Sequence, residues 1–542
     1  MTAAAFPRRG LVRAAGVVAV LAFLGLVARF WHPVFGFTAF IQLDGASEQL
    51  KISAFRELPI FVHPGAAGYD GLYYAQLAQD PTLRHPEFPR AMDNFAYRAR
   101  RILPPALAWT LGAGRPAWIV HVYSLLNVTA WLALAALLWR LLAAEDARGW
   151  LAWAGVLFSA GALASVRLAL SDLVALAIMA GALLAVERGK KTGAAAVLAL
   201  AALARETSVL ALGAVVETEK KETRDQRPET KDLDPGGLKS LVSGLWSLVP
   251  TAALVAAPLA AWLAYIRWRV GPADQGWANF TLPVVGLVEK FSDALAALVT
   301  VADKPLAWTT LLATVGLTVQ AAFFLTRWRP ADRWWRLGAP YAGLLLCLGT
   351  AVWEGFPGAA TRALLPLTLA FNLAVHRARA PLAWLIAGNI TVFSGLLALR
   401  DVPRDANELA TAHTDGVAAI VRINEGWFGV ENARRHEWTW SPGSGTVEFQ
   451  AWPRRARTVR LEFTLRSLAP RTVEIAQPGR AVTRVTVGTR PLATHIDVQL
   501  GEDGRARVRF STDTPGVPES PHADARALTF ALYDPRLVLE KR

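Results

Sequence analysis

One cysteine, Cys347, is all that the chain carries in 542 residues. A lone thiol rules out an intrachain disulfide framework and a cysteine-based metal site. It sits in an apolar run, where a small buried hydrophobe is the simplest reading. The pattern G-x-x-x-x-G-K-[ST] is missing too, which removes P-loop ATP chemistry and leaves an activated substrate or a gradient as the energy source. No stretch shows the aromatic-basic signature of a nucleic-acid module, although the formal net charge is +14. The excess Lys and Arg fall instead in short loops between apolar runs, as the positive-inside rule expects. Arg8, Arg9 and Arg13 lead into an apolar stretch ending near residue 30, but the following "ARFWHPVF" offers no small-x-small cleavage site. The expectation is an uncleaved first membrane helix with a cytoplasmic N-terminus.

What the chain has in quantity is apolar surface. Hydrophobic residues make up 53%, Trp occurs 21 times, and mean hydropathy is +0.30. Apolar runs of about 18 or more residues recur, the length that crosses a bilayer core. Eleven spans are expected, near 11–30, 117–143, 149–166, 169–186, 192–204, 207–217, 241–265, 306–326, 337–354, 361–376 and 381–399. Basic clusters after the fourth, sixth, eighth and tenth all fall on the cytoplasmic side, while "RWR" at 267–269 breaks the rule. The fifth and sixth spans are too short to cross upright. They read as a hairpin with "ARET" (204–207) at its tip, tolerated where it is buried in protein or faces a wet cavity. Residues 217–239, charged and without aromatics, read as a disordered cytoplasmic loop.

The predicted fold is therefore a polytopic α-helical membrane protein with a C-terminal extracytoplasmic β-sandwich. Residues 1–400 form the multispanning domain, with a long first external loop over 31–116. A linker helix is expected in 401–425, and 426–542 is the sandwich, because "TVEFQAW", "RTVRLEFTL", "RTVEIA" and later segments alternate with period two between turn residues. Within it, Trp427, Trp438 and Trp440 could stack on sugar rings or pack the core.

Ionisable groups at membrane depth are costly and mark functional sites. On the outer face in this topology lie Asp70, Asp93, Arg98, Arg100, Arg101, Asp172, Arg205, Glu206, Glu354 and Arg362. Plain readings exist for each. Asp70 and Asp172 could cap helices, Arg205 and Glu206 could form an ion pair, and the rest could be interface residues. Their convergence instead describes a cavity with acids and arginines. Arginines can hold a phosphate bidentately, and a carboxylate can take a proton from an attacking hydroxyl.

The stretches "GYDGLYYAQLAQDP", "DNFAYRARRILPP", "LALSD", "LARETS" and "WEGFPGAATRALLPL", in that order, resemble GT-C class glycosyltransferases, in particular a bacterial branch linked to cell-surface glycopolymers. The resemblance spans most of residues 60–400, and the strands after "GWFGVENARRHEWTWS" are similar to that branch's β-sandwich tail. It implies transfer of a sugar from a polyprenyl-phosphate donor to a glycan or lipid-linked acceptor, on the outer face of the bacterial inner membrane. Asp70 would be the catalytic base or position the acceptor. Arg205 and Arg362 would hold the donor phosphate. Asp172, Glu206 and Glu354 would bind acceptor or shape the pocket, with Tyr69, Tyr73, Tyr74, Arg98 and Arg101 also facing substrate. The loop has a single Asp rather than an acidic pair, so no metal and no other cofactor is expected. A transporter or flippase of lipid-linked sugars is the alternative, disfavoured by the absence of an internal repeat; a non-catalytic scaffold for envelope glycan assembly is another.

Overall fold

The computed structural model describes residues 6–46, 51–65, 67–216, 236–272, 276–301, 303–353, 359–414, 416–434, 436–520, 522 and 525–539. They divide into two compact units. One comprises residues 1–30, 40–42 and 68–402, and the other residues 31–39, 43–67 and 403–542.

The first unit is helical. Four of its described helices are long and apolar enough to cross a membrane by length and composition: Arg9–Ala28, Pro116–Leu141, Val249–Arg269 and Ala307–Leu325. Ala147–Leu157 and Ala160–Arg167, bent by 42° at their junction, pass together as a fifth. Other expected spans are helical but short or broken. Helix Lys191–Ala204 ends where Arg205 turns extended, and a 3-10 turn, Glu206–Ala211, follows. Leu382–Gly388 and Thr391–Leu397 share one expected span. Helix Val285–Thr300 was not foreseen; its Glu289, Lys290 and Asp293 hide it from a search for apolar runs. Most of the loop expected at 217–239 lies outside the described residues; its end, from Gly236, begins a helix.

The second unit is built on strands. A small parallel pair comes first, β1 (Leu43–Asp44) and β2 (Val62–His63). There follow β3 (Glu408–Thr414), β4 (Val417–Ile423), β5 (Val430–Ala433), β6 (His436–Ser441), β7 (Ser444–Trp452), β8 (Arg457–Ser467), β9 (Arg471–Ala476), β10 (Thr483–Val487), β11 (Leu492–Leu500), β12 (Arg505–Ser511), β13 (Val517–Pro518), β14 (Ala527–Leu528) and β15 (Phe530–Leu539). Two antiparallel sheets result, in the orders β10-β9-β12-β7-β4-β3 and β11-β8-β15-β6-β5. Alternate residues of both, among them Val421, Phe449, Leu461, Phe463, Phe510 and Phe530, form one shared core. Trp427 packs edge-on to Phe510 and Phe530, and Trp440 is buried. Trp438 stacks on Tyr533.

The linker helix expected in 401–425 is not formed. That segment carries the hairpin β3–β4, whose second strand joins the sheet beside β7, with Ala418 opposite Trp452 and Ile423 opposite Val447. The misreading has a physical source. "VAAIVRI" does not alternate, because β4 is covered on both faces. Ala419, Val421 and Ile423 enter the shared core, while Ala418 and Ile420 pack under Val34, Phe35, Ala39 and Phe61. The first part of the expected external loop thus belongs to the strand unit.

Val421 is fully buried, so Val421→Asp, an unpaired charge in a packed core, is expected to cost about 3 kcal/mol or more. Val421→Ile should stay within about 1.5 kcal/mol. Thermal unfolding with limited proteolysis of the C-terminal fragment separates the two; a solvated linker would tolerate both.

Candidate functional site

The site begins at Gly71. A Cβ there would lie 2.3 Å from the carbonyl oxygen of Leu168 and 3.0 Å from that of Ile41. Only glycine allows helix Gly71–Leu77 to start against the turn Leu168–Leu170. That turn is fixed by its own partners. Ala169 has a φ of +48°, the Tyr123 hydroxyl donates to its carbonyl at 2.8 Å, and Asn127 Nδ2 donates to Leu170 O at 2.7 Å. Helix Ser171–Glu187 follows directly, with Asp172 in its first turn. The packing at Gly71 thereby brings two helix starts together, one preceded by Asp70 and the other holding Asp172.

Neither acid is a cap. Asp70 precedes Gly71 in a helical conformation and makes no capping hydrogen bond. Its carboxylate faces Arg98, with Nη1 at 2.9 Å from Oδ1. Arg98 is held from its other edge by Asp93, to which Nε donates at 3.0 Å and Nη2 at 2.6 Å. One guanidinium therefore bridges two carboxylates. The Tyr73 ring lies 4.8 Å from it. Asn94 orients this stretch by accepting from the Tyr97 amide, which caps the turn Phe95–Arg98. Burial alone would raise the Asp93 carboxyl, but the hydrogen bonds and charge of Arg98 outweigh it and hold Asp93 below its ordinary value. Burial would likewise lower Arg98, and its two carboxylates raise it instead.

A second cluster centres on Arg101, which is buried. It donates to both oxygens of Glu206, each at 3.2 Å, and to the hydroxyls of Tyr74 at 2.9 Å and Tyr97 at 3.3 Å. A third centres on Asp172, 3% exposed. Arg205 donates to its Oδ1, and Arg362 Nη1 lies 3.6 Å from Oδ2. Arg362 Nη2 also donates to the Tyr69 hydroxyl at 2.6 Å, with the ring 5.1 Å from the guanidinium. Tyr69, next to Asp70 in the chain, joins the first and third clusters. Burial raises its pKa most, Arg362 opposes, and the charges of Asp70 and Asp172 add to the rise. The Nε atoms of Arg205 and Arg362 and the Ser171 and Thr207 hydroxyls are buried without a hydrogen-bond partner among the described residues.

All but one of the sequence-derived site residues thus meet. Glu354 lies outside the described residues. Tyr74 is buried and holds Arg101 rather than presenting a free face. Gly71 makes its close approach to the backbone of Leu168 and Ile41. Tyr97 escaped the sequence reading, yet Arg98, Arg100 and Arg101 all lie over its ring, at 5.8, 5.2 and 5.5 Å; the tyrosine just before "RARR" is the signal that could have found it. Tyr123 and Asn127 were missed as well, since nothing local marks them. Among the described residues, no group of three or more His, Cys, Asp or Glu is placed to hold a metal ion.

No protein-family model and no curated protein matches the chain. Among solved structures, arabinosyltransferase EmbB from Mycobacterium smegmatis aligns over 86% of this chain and 62% of its own, at 12% identity and a TM-score of 0.20. The chain thus spans less than two thirds of EmbB. TmCBM61 in complex with beta-1,4-galactotriose aligns over 22% of this chain and 88% of its own, at 15% identity and a TM-score of 0.14. Similarities this slight do not establish a shared fold.

Gly71→Ala is expected to destabilise the protein by about 1–3 kcal/mol, as overpacking against fixed backbone does, with a lower melting temperature in detergent. For Asp93, the lowered pKa sets the sign of a pH effect. Its pairing with Arg98 stabilises the fold above the ordinary carboxyl value of 3.8 and is lost as pH falls through the lower folded value. Asp93→Asn should therefore melt below the parent at pH 7, and the gap should close as both are acidified past that range.

Proposed function

We propose that the chain is a GT-C type glycosyltransferase. It moves a sugar from a polyprenyl-phosphate donor to an envelope glycan or lipid-linked acceptor, at the outer face of the bacterial inner membrane. Residues 1–400 would be its multispanning domain and the strand-rich C-terminal region its extracytoplasmic part. The observation that carries this reading is the Arg362 bridge. Two arginines share the single carboxylate of Asp172, which leaves one positive charge in excess, and one of them reaches Tyr69 beside Asp70. In this reading a phosphate site and a proton acceptor are neighbours.

The reaction is a displacement at the anomeric carbon. The acceptor oxygen forms the new bond to carbon as the bond from carbon to the phosphate oxygen breaks, and that electron pair leaves with the lipid phosphate. Asp70 takes the acceptor's proton. Arg205 and Arg362 face the charge that develops on the phosphate, an electrostatic term that often dominates catalysis. Their Nε groups, buried and without a partner among the described residues, are donors in want of an acceptor, and a phosphate oxygen is one. Arg98, set by Asp93, holds the Asp70 carboxylate in one orientation. The basic clusters between the expected spans support the outward side.

Asp70→Asn should lower transfer by about 10²–10⁴-fold, the range typical of removing a general base. Mass analysis of surface glycans and lipid-linked intermediates, in a deletion strain complemented with the variant, should show one sugar lost and the loaded donor accumulating. Full glycan output from a folded Asp70→Asn protein would sink the assignment. Arg362→Lys, which keeps the charge but loses the fork that spans Asp172 and Tyr69, should also cut output at unchanged expression.

A further inference from the structure

The strand unit contains a cleft of about 470 Å³, within the size range of small-molecule sites. Its floor is the outer face of β4 and β7, where Arg422, Gln450 and Trp452 lie, and its walls come from β1, β2 and helix Ser53–Arg56. Three polar atoms on lining residues are buried without a hydrogen-bond partner among the described residues: Asp44 Oδ1, Trp452 Nε1 and Arg454 Nε. Buried polar groups are nearly always paired, so three orphans around one cavity call for a partner that fills it.

The chemistry of the three narrows that partner. Asp44 Oδ1 can only accept, whereas the Trp452 and Arg454 N–H groups can only donate. An inorganic anion would suit the two donors and meet repulsion from Asp44. A cation would suit Asp44 and meet Arg454. Two of the lining guanidinium charges are already offset. Arg422 Nε donates to Asp405, and Arg454 pairs with Glu57 at 3.4 Å and donates to the Arg56 carbonyl. Asp44 remains an acceptor inside the cleft that an anion could not satisfy. A hydroxyl both donates and accepts, and a ring of hydroxyls can satisfy all three groups at once. Phe35 and Phe55, also in the lining, offer apolar surface to the C–H face of such a ring. We propose that this cleft binds a neutral saccharide through Asp44, Trp452 and Arg454. The proposal does not depend on the transferase reading, because every residue in it lies outside the helical unit.

The test uses the full chain purified in detergent and a panel of neutral pentose and hexose di- and trisaccharides, with inorganic phosphate as contrast, followed by saturation-transfer NMR and calorimetry. Saturable binding of a saccharide is expected. Trp452→Phe, which keeps a ring against Phe35 but removes the N–H, should weaken it about three- to tenfold, as loss of one hydrogen bond does. Asp44→Asn should weaken it similarly. Should Asp44→Asn fail to fold, Trp452→Phe decides alone. The proposal is overturned if no saccharide binds saturably, if phosphate binds in preference, or if binding is indifferent to the substitution at Trp452. Glycan output in cells tests the transferase reading separately, so either can fail without the other.

Discussion

The helical unit's chemistry depends on a contact with no room for a single added carbon. At Gly71 the chain runs so close to the Leu168 carbonyl that any side chain would displace backbone. The turn it meets cannot yield easily. Ala169 is already in the left-handed region, and buried donors from Tyr123 and Asn127 hold the two carbonyls that follow. Packing between a loop helix and a long helix thus fixes the separation of Asp70 and Asp172, which stand about one hundred residues apart in sequence. The start of helix Ser171–Glu187 also favours the carboxylate in its first turn, since unpaired amides and the helix dipole present positive charge there.

Around this contact four of the described acids and four of the described arginines are arranged unequally. Arg98 is one cation between two carboxylates, Asp70 and Asp93. Asp172 is one carboxylate between two cations, Arg205 and Arg362. Arg101 and Glu206 pair one to one. The network therefore balances in total and is polarised in detail, acid-rich at one end and base-rich at the other. Tyr69 spans the two, bonded to Arg362 and adjacent to Asp70. Arginine suits every one of these places because its planar fork can serve two partners at once, which a lysine ammonium does less well.

How much of this was legible in the sequence depends on the kind of cause at work. Acids and arginines beside apolar runs stood out because burying a charge needs a reason, and Asp172, Arg205 and Arg362 were singled out that way. Which of them pair was not legible, since contacts such as Arg205 to Asp172, 33 residues apart, and Arg362 to Tyr69, 293 apart, leave no local trace. The capping expectation at Asp70 failed because a stronger partner, Arg98, takes the carboxylate. Tyr74 was expected at the substrate, but nothing in "GLYY" says that one ring of the pair is buried with its hydroxyl on Arg101 and that Arg98 lies over the other. The segment at 417–423 was misread because a strand covered on both faces loses the alternation that identifies a strand. Sheets with one solvated face, such as β8 with its regular in-and-out pattern, were plain.

The polarisation matters most if the transferase reading holds. A sugar on a lipid phosphate is a diester with one negative charge; the released monoester carries two. The added charge appears beside Arg205 and Arg362, where positive charge is already in excess. The acceptor's proton meanwhile arrives at Asp70, where negative charge is in excess. In that reading both shifts run toward the end of the network whose charge favours them. Reversing the gradient, with the cation pair beside Asp70 and the acid pair beside the phosphate, would keep the same total charge and oppose both steps. Total charge is thus a poor guide to what this site can do. In that reading the arrangement, set by one glycine against one carbonyl, would decide which end takes the proton and which releases the phosphate.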